Sequence, residues 1–400
     1  MAFKVKNNVF WVGIKDWELQ KFHGNEYSTD HSTTYNSYLI KEEKNVLIDT
    51  VWMPFSKEFV KNLSEEIDLS EIDYVIANHG EIDHSGGLPE LMDLIPDIPI
   101  YCTKNAVDSL KGQYHKDWNF KTVKTGDSLD IGNGKSLVFV EMRMLHWPDS
   151  MATYLTQDNI LFSNDAFGQH YLNDFMYNDL VDQDLLWQEC IKYYANILTP
   201  FSGLVEKKIN EVLELKIPID IIATSHGVIW RDNPTQIVLK YMEWAKNYQE
   251  NQITVVYDTM WDGTRRMAES IIKGIRESNP TIKIQMLNAA KFDKNDIITE
   301  IFKSKAILVG SPTIGKGILS SIAEIMEMIK GLGFKNKKAA SFGSYGWSGE
   351  SVKELNALLE KSQFELLNQG IRIKWNPDEE GKKKCMEFGK EIGLALLNSD

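Results

Sequence analysis

The chain has 400 residues, 43% hydrophobic and 25% charged, with a formal net charge of −13; it is too long for one ordinary core, so two or more domains are expected. That acidic balance argues against nucleic-acid and anionic-membrane surfaces, both of which need clustered Lys and Arg. Three scattered cysteines, Cys102, Cys190 and Cys385, supply neither a CxxC-held cluster nor a disulfide framework, so a bound metal has to take nitrogen and oxygen ligands.

Residues Met1 to Asn8 lack the apolar stretch of a secretion signal, and no run reaches the roughly 18 apolar residues of a membrane span. A cytoplasmic protein is expected. The first part is β-rich, with short apolar or alternating runs at Val9–Ile14, Ser37–Ile40, Asn45–Ile48, Tyr74–Ala77, Ile98–Cys102, Ser136–Val140, Ala152–Leu155 and Ile160–Phe162. Apolar residues at helical spacing occupy Phe55–Ser64, Leu88–Leu94 and the longer Asp184–Leu213 region, ahead of a strand at Ile219–Ala223. Strands followed by helices, roughly twice over, predict two sheets sandwiched between helices.

The polar run Gln249–Gln252 closes this part, giving a first domain over 1–249 and a second over 253–400. From there strands Ile253–Tyr257, Ile282–Leu287, Ala306–Val309, Ala339–Phe342 and Ile371–Trp375 alternate with helices Thr264–Glu277, Asp296–Phe302, Ile318–Lys330, Glu350–Lys361 and Glu379–Leu397. Five strands alternating with five helices predict a doubly wound five-stranded parallel sheet, an α/β domain following an α+β one.

The stretch His79-Gly80-Glu81-Ile82-Asp83-His84 packs two imidazoles and two carboxylates directly behind the Tyr74–Ala77 strand. Buried unpaired charges are costly, and a metal ion offsets that cost. Transition-metal sites draw ligands from separate segments, and three more residues sit just past apolar runs: His146 after Glu141–Leu145, Asp165 after Ile160–Asn164, and His226 after Ile221–Ser225.

HxExDH with HWPDS at 146–150, SNDAFG at 163–168 and SHG at 225–227 resembles the N-terminal domain of flavodiiron proteins, a branch of the metallo-β-lactamase fold. The resemblance implies an αββα sandwich in which His79, Glu81 and His146 hold one iron, Asp83, His84 and His226 hold the other, and Asp165 bridges them. Zinc hydrolases of this fold carry HxHxDH; here Glu81 stands at the second His. The added carboxylate shifts the donor set toward oxygen, which suits iron in its two- and three-valent states. Asp49 is expected to hydrogen-bond near the site rather than ligate. His23 and Tyr193 resemble family positions on the open side of the metals, while His31, His115 and His170 are expected in surface or packing roles.

In the second domain, Thr259-Met260-Trp261-Asp262-Gly263-Thr264 resembles the flavodoxin TxxxGT pattern, where a helix N-terminus and hydroxyls cradle a phosphate. Ser311-Pro312-Thr313-Ile314-Gly315-Lys316 and Ser344-Tyr345-Gly346-Trp347-Ser348-Gly349 follow the third and fourth strands, at the carboxyl ends where ligands of such sheets bind. Trp347 can stack on an isoalloxazine. A single phosphate cradle, without the dinucleotide GxGxxG, favours FMN over FAD or NAD.

These readings combine into a flavodiiron reductase that takes electrons through FMN to two non-haem iron ions. It reduces dioxygen to water, slightly favoured, or nitric oxide to nitrous oxide. With no Cys cluster in the chain, an external donor such as rubredoxin is expected. The resemblance further implies a head-to-tail homodimer or a homotetramer, with the FMN of one subunit beside the metals of another. Two alternatives stay open: a zinc-dependent hydrolase of the metallo-β-lactamase fold with an appended flavodoxin domain, and a diiron oxygen sensor.

Overall fold

Alternate residues of Asn45–Ile48 and Lys135–Glu141 set Val46, Ile48, Leu137 and Phe139 on one side of their strands, as a period of two requires. These side chains bury against each other in a core shared by a seven-stranded and a five-stranded sheet. The larger sheet is antiparallel through Phe3–Lys6, Val9–Trp11, Tyr38–Ile40 and Asn45–Ile48, then parallel through Ile72–Ile76, Ile100–Thr103 and Phe120–Val123. The smaller runs Ser128–Gly132, Lys135–Glu141, Met151–Leu155, Ile160–Asn164 and Ile221–Thr224, with only the last pair parallel. Helices such as Ser56–Glu66 and Thr235–Ala245 bury one apolar stripe each, Phe59, Val60 and Leu63 in the first and Ile237, Val238 and Tyr241 in the second, completing an αββα sandwich.

This computed structural model describes residues 2–397. The chain divides into two compact units, one of 1–194 with 201–245 and one of 195–200 with 246–400. Among the described residues no helix is long and apolar enough to cross a membrane.

Three expected elements differ. Val9–Ile14 is two strands, Val9–Trp11 and Ile14–Asp16, the second pairing with Thr33–Tyr35. Asp184–Leu213 is two helices, Gln183–Tyr193 and Ser202–Glu214, parted by a π-turn at Tyr194–Leu198 and a 3₁₀ turn at Thr199–Phe201; Pro200 lacks the N–H that would continue the ladder. The strand before His146 ends at Glu141, because Met144 takes a φ of 65° and donates its N–H to the Trp147 carbonyl at 2.7 Å, closing a turn.

In the second unit all strand pairs are parallel, in the order Lys283–Asn288, Glu250–Tyr257, Ser304–Gly310, Lys338–Tyr345. The position beyond is shared by two short strands, Glu365–Leu366 and Ile371–Lys374, where one was expected. This is the flavodoxin-like order, whose ligand crevice lies at the carboxyl ends of the first and third strands. Helices Gly263–Ser278 and Glu379–Leu397 pack so closely that a Cβ on Gly389 would lie 2.1 Å from the Ile271 carbonyl oxygen. Only glycine fits there.

Lys337 is buried without a carboxylate partner among the described residues. Its Nζ donates to the carbonyls of Tyr248, Phe302 and Ser304 at 3.2, 2.7 and 2.6 Å, tying the chain before the first strand to the start of the third. Burial pushes its ammonium from 10.5 down to about 7. The folded value lies below the unfolded one, so the unfolded chain binds more protons across that window and stability rises with pH through it. Chemical denaturation of this unit should show that rise, and the Lys337→Met variant should lack it.

Candidate metal centre and phosphate cradle

Each predicted metal ligand stands at or just past the carboxyl end of a strand. His79, Glu81, Asp83 and His84 follow Ile72–Ile76, with Asp83 and His84 in the short helix Ile82–Ser85. His146 comes from the turn after Lys135–Glu141, Asp165 directly follows Ile160–Asn164, and His226 lies two residues beyond Ile221–Thr224. Asp49 pins the first loop: its Oδ1 accepts the Asn78 backbone N–H at 2.7 Å and its Oδ2 the Asn78 amide at 3.0 Å. Burial pushes the Asp49 carboxyl up to about 6.

The ligand atoms converge in two groups, His79, His146 and Asp165, and Asp83, His84 and His226. In the first, Glu81 Oε2 lies 3.2 Å from His79 Nε2 and 3.4 Å from His146 Nε2. In the second, Asp83 Oδ2 lies 3.0 Å from His226 Nε2 and 3.3 Å from His84 Nε2. Asp165 faces both groups. Its Oδ2 is 3.7 Å from His79 and 3.6 Å from His146, and its Oδ1 is 3.0 Å from His84 and 3.6 Å from His226.

Two imidazoles have their far nitrogens committed. His79 Nδ1 donates to Asp149 Oδ1 at 3.0 Å, and His226 Nδ1 donates to the Thr34 carbonyl at 2.7 Å. That fixes the tautomers and turns both Nε2 atoms toward the carboxylates. Burial lowers the His84 imidazole, but Asp165 and Asp83 outweigh it and hold the group up at about 9. Burial likewise opposes ionisation of Asp165, yet His84 and the other imidazoles hold its carboxyl well below the usual range.

These residues fit a pair of metal ions. Donors sharing one ion at about 2.0–2.2 Å lie roughly 3.0–3.5 Å apart, close to the spacings here. Asp83 Oδ1, His84 Nε2 and Asp165 Oδ2 are buried without a hydrogen-bond partner among the described residues, an arrangement that is costly unless a cation completes it. Imidazole and carboxylate donors without thiolate suit iron.

His23 reaches this centre directly, whereas Tyr193 lies behind His170. His23 Nε2 donates to Glu81 Oε1 at 3.1 Å, which leaves Glu81 Oε2 for His79 and His146. Burial lowers the His23 imidazole, and Glu81 with the other carboxylates raises it further than burial lowers it. Tyr193 is buried, its ring 5.4 Å from that of His170. Of the surface or packing roles expected for it, His170 takes the packing one, buried against the site: its ring is 4.9 Å from His226, its Nδ1 is 2.8 Å from the Thr33 hydroxyl, and its Nε2 has no partner among the described residues. His31 and His115 lie at the periphery, His115 as an exposed left-handed helix terminus.

In the second unit a cavity of about 540 Å³ opens where the three predicted loops meet. Met260, Trp261, Gly263, Pro312, Thr313, Ile314, Gly315, Lys316, Ser344, Tyr345, Gly346, Trp347 and Ser348 line it. Helix Gly263–Ser278 starts at Asp262 without a side-chain cap, so its first N–H groups are free for an anion. Thr259 is not among the lining residues, but its Oγ1 is buried with no partner among the described residues, a hydroxyl that a phosphate at this loop would satisfy. Asp262 does not line the cavity, because Arg265 takes both its oxygens, at 2.9 and 3.1 Å. Neither does Ser311, whose hydroxyl accepts the Leu319 N–H, nor Gly349, which packs on the Tyr345 ring. Thr264 sits behind the wall, 3.0 Å from the Ser344 hydroxyl.

Residues 33–227 match the family described as ODP family beta lactamase, and residues 255–389 match the flavodoxin family. The anaerobic nitric oxide reductase flavorubredoxin of Escherichia coli K12 is 56% identical over 393 residues, 98% of this chain and 82% of that relative. Rubredoxin oxygen:oxidoreductase from Desulfovibrio gigas superposes with a TM-score of 0.95 at 33% identity, covering 100% of this chain and 99% of that one. The flavodiiron protein from Giardia intestinalis superposes with a TM-score of 0.93 at 32% identity, covering 100% and 97%. The chain belongs to the flavodiiron family.

Three residues of this flavodiiron chain escaped sequence reasoning. Asp149 lies within HWPDS and orients His79; its signal was an acid beside a predicted ligand. Trp375 and Asn376 complete the flavodoxin-like cavity but follow a fifth strand with weak periodicity. Trp261, Trp347 and Trp375 are 85%, 86% and 62% exposed, a rim of indoles that water covers unless a planar ligand does. Trp347→Ala should weaken FMN binding by about 0.5–1.5 kcal/mol and leave iron content unchanged, as flavin titration and metal analysis would show. A fall in iron instead would contradict that placement. Thr259→Val should weaken FMN by about 1.5–3 kcal/mol while riboflavin, which lacks the phosphate, binds as before.

Proposed function

We propose that this flavodiiron protein passes electrons from an external donor through FMN to a non-haem diiron site that reduces nitric oxide to nitrous oxide and dioxygen to water. One observation carries it: the two oxygens of Asp165 face two separate groups of donors. Hence His79, Glu81 and His146 are assigned to one iron, Asp83, His84 and His226 to the other, and Asp165 to both. Bound together, FMN and the two irons supply four electrons, the number that dioxygen needs to become two waters.

The protein's own groups prepare this chemistry. Asp149 and the Thr34 carbonyl hold two imidazoles in one tautomer, and His23 directs the Glu81 carboxylate. Phe22, Tyr193 and His170 wall the centre with buried rings, which excludes water and strengthens each polar contact inside. Thr259 and the uncapped helix N-terminus are assigned to the FMN phosphate, and Trp347 with Trp375 to its ring system.

The slight preference for dioxygen gives way to nitric oxide, because the relative that shares 56% of its residues over nearly the whole chain is by name a nitric oxide reductase. Rubredoxin-type proteins are the proposed donors. A head-to-tail homodimer or homotetramer in the cytoplasm, with metal chemistry in 1–249 and flavin chemistry in 253–400, completes the reading. Anaerobic turnover with reduced rubredoxin tests it: nitric oxide consumption with nitrous oxide release supports it. Zinc content with thioester hydrolysis and no gas consumption would support the hydrolase instead.

A further inference from the structure

The loop that carries Asp165 has a second face. Phe167, two residues on, is buried and holds a φ of 68°, a left-handed conformation rare for an aromatic residue. Its backbone is held from both sides: the N–H donates to the Tyr241 hydroxyl oxygen at 3.0 Å, and the carbonyl accepts from Trp230 Nε1 at 2.9 Å. Asn164, on the other side of Asp165, is left-handed too, at 57°. Two left-handed residues flanking the carboxylate let one short loop present Asp165 to the metal groups and Phe167 to a different space.

That space is a cavity of about 150 Å³ between the outer face of the five-stranded sheet and helices Ser202–Glu214 and Thr235–Ala245. Its wall is mainly apolar, with Val140, Ala152 and Leu161 from the sheet, Val212 and Val238 from the helices, and Phe167 among them, while Lys208, Lys216 and Thr235 complete the lining. Leu213 and Leu215, both exposed, stand among its lining residues and mark its solvent side. The volume is too small for a peptide or a folded partner. Apolar pockets of this size take up small uncharged molecules such as xenon or benzene.

We propose that this cavity is an antechamber for the diatomic substrate, which enters at Leu213 and Leu215 and waits against Phe167 beside the Asp165 loop. Nitric oxide and dioxygen are small and uncharged, so a mainly apolar pocket concentrates them where an aqueous cleft would not. The inference rests on the gas-reducing function proposed above. Phe167 acts as a positioning residue, holding the partition between the pocket and the metal centre.

The test uses the iron- and FMN-loaded full chain, xenon as the probe, and two substitutions at Val212, which makes none of the site contacts. Crystals pressurised with xenon should show it in the cavity, retain it in Val212→Ala and lose it in Val212→Phe. Val212→Phe should lower the second-order rate constant of the reduced enzyme with subsaturating gas by about threefold or more, with iron and FMN content unchanged; Val212→Ala should not lower it. Exclusion of xenon, or an ordered acyl chain in its place, overturns the proposal, as does a filled cavity with an unchanged rate. Xenon uptake by a loaded protein that consumes neither gas would refute the functional reading, and the antechamber with it, while leaving the pocket's apolar affinity established.

Discussion

Replacing Asp165 with Ala removes both irons and gas reduction together, and leaves FMN in place. The carboxylate is 1% exposed, and its oxygens lie 3.0–3.7 Å from all four imidazole Nε2 atoms. Among the described residues no other carboxylate lies within 4 Å of imidazoles from both groups, so its loss takes a donor and a charge from each metal at once. Activity should fall by well over about a hundredfold, beyond the 10–100-fold typical of groups that only orient a ligand. Asp165→Asn, which keeps the shape but not the charge, should fall between. Metal and flavin quantification on the same preparation checks this, and full iron retention in Asp165→Ala would show that Asp165 is not shared.

The second large effect is asymmetric. Asp149 accepts the His79 Nδ1–H through Oδ1 and the Gly80 backbone N–H through Oδ2, both at 3.0 Å, and it is fully buried. Asp149→Ala frees the His79 ring to rotate and leaves a buried N–H unsatisfied. The iron assigned to His79, Glu81 and His146 should weaken by about 10–100-fold, whereas the ion assigned to Asp83, His84 and His226 should stay. A chelator titration should therefore pass through a plateau near one iron per chain. Simultaneous loss of both would mean that Asp149 supports the whole fold of the loop rather than one imidazole.

The ligand loops were readable because each sits at a strand end, where an apolar run stops and a polar cluster begins; His79 behind Ile72–Ile76 and His226 behind Ile221–Thr224 are examples. The doubly wound order was readable from its alternation, since helices such as Gly263–Ser278 place Met267, Ile271 and Ile275 on one stripe. What stayed hidden depends on long-range contact. His170 joins the site only because Thr33, Phe22 and Tyr193, from distant segments, meet around it. Lys21–Phe22 and Tyr27–Ser28 are too short to show a period. The fifth position of the flavodoxin-like sheet is split between two strands of two and four residues, so neither Trp375 nor Asn376 stood out beside it.

The central claim is that electrons entering at FMN leave through two irons to a small gas. The most direct measurement is anaerobic stopped-flow mixing of the fully reduced protein, with iron and FMN quantified, against nitric oxide and dioxygen separately. The predicted result is rapid flavin reoxidation dependent on bound iron, with nitrous oxide formed from nitric oxide and no reoxidation in Asp165→Ala beyond that of free FMN. Flavin reoxidation at the same rate in protein stripped of iron, or none with either gas in protein holding two irons, would contradict the claim.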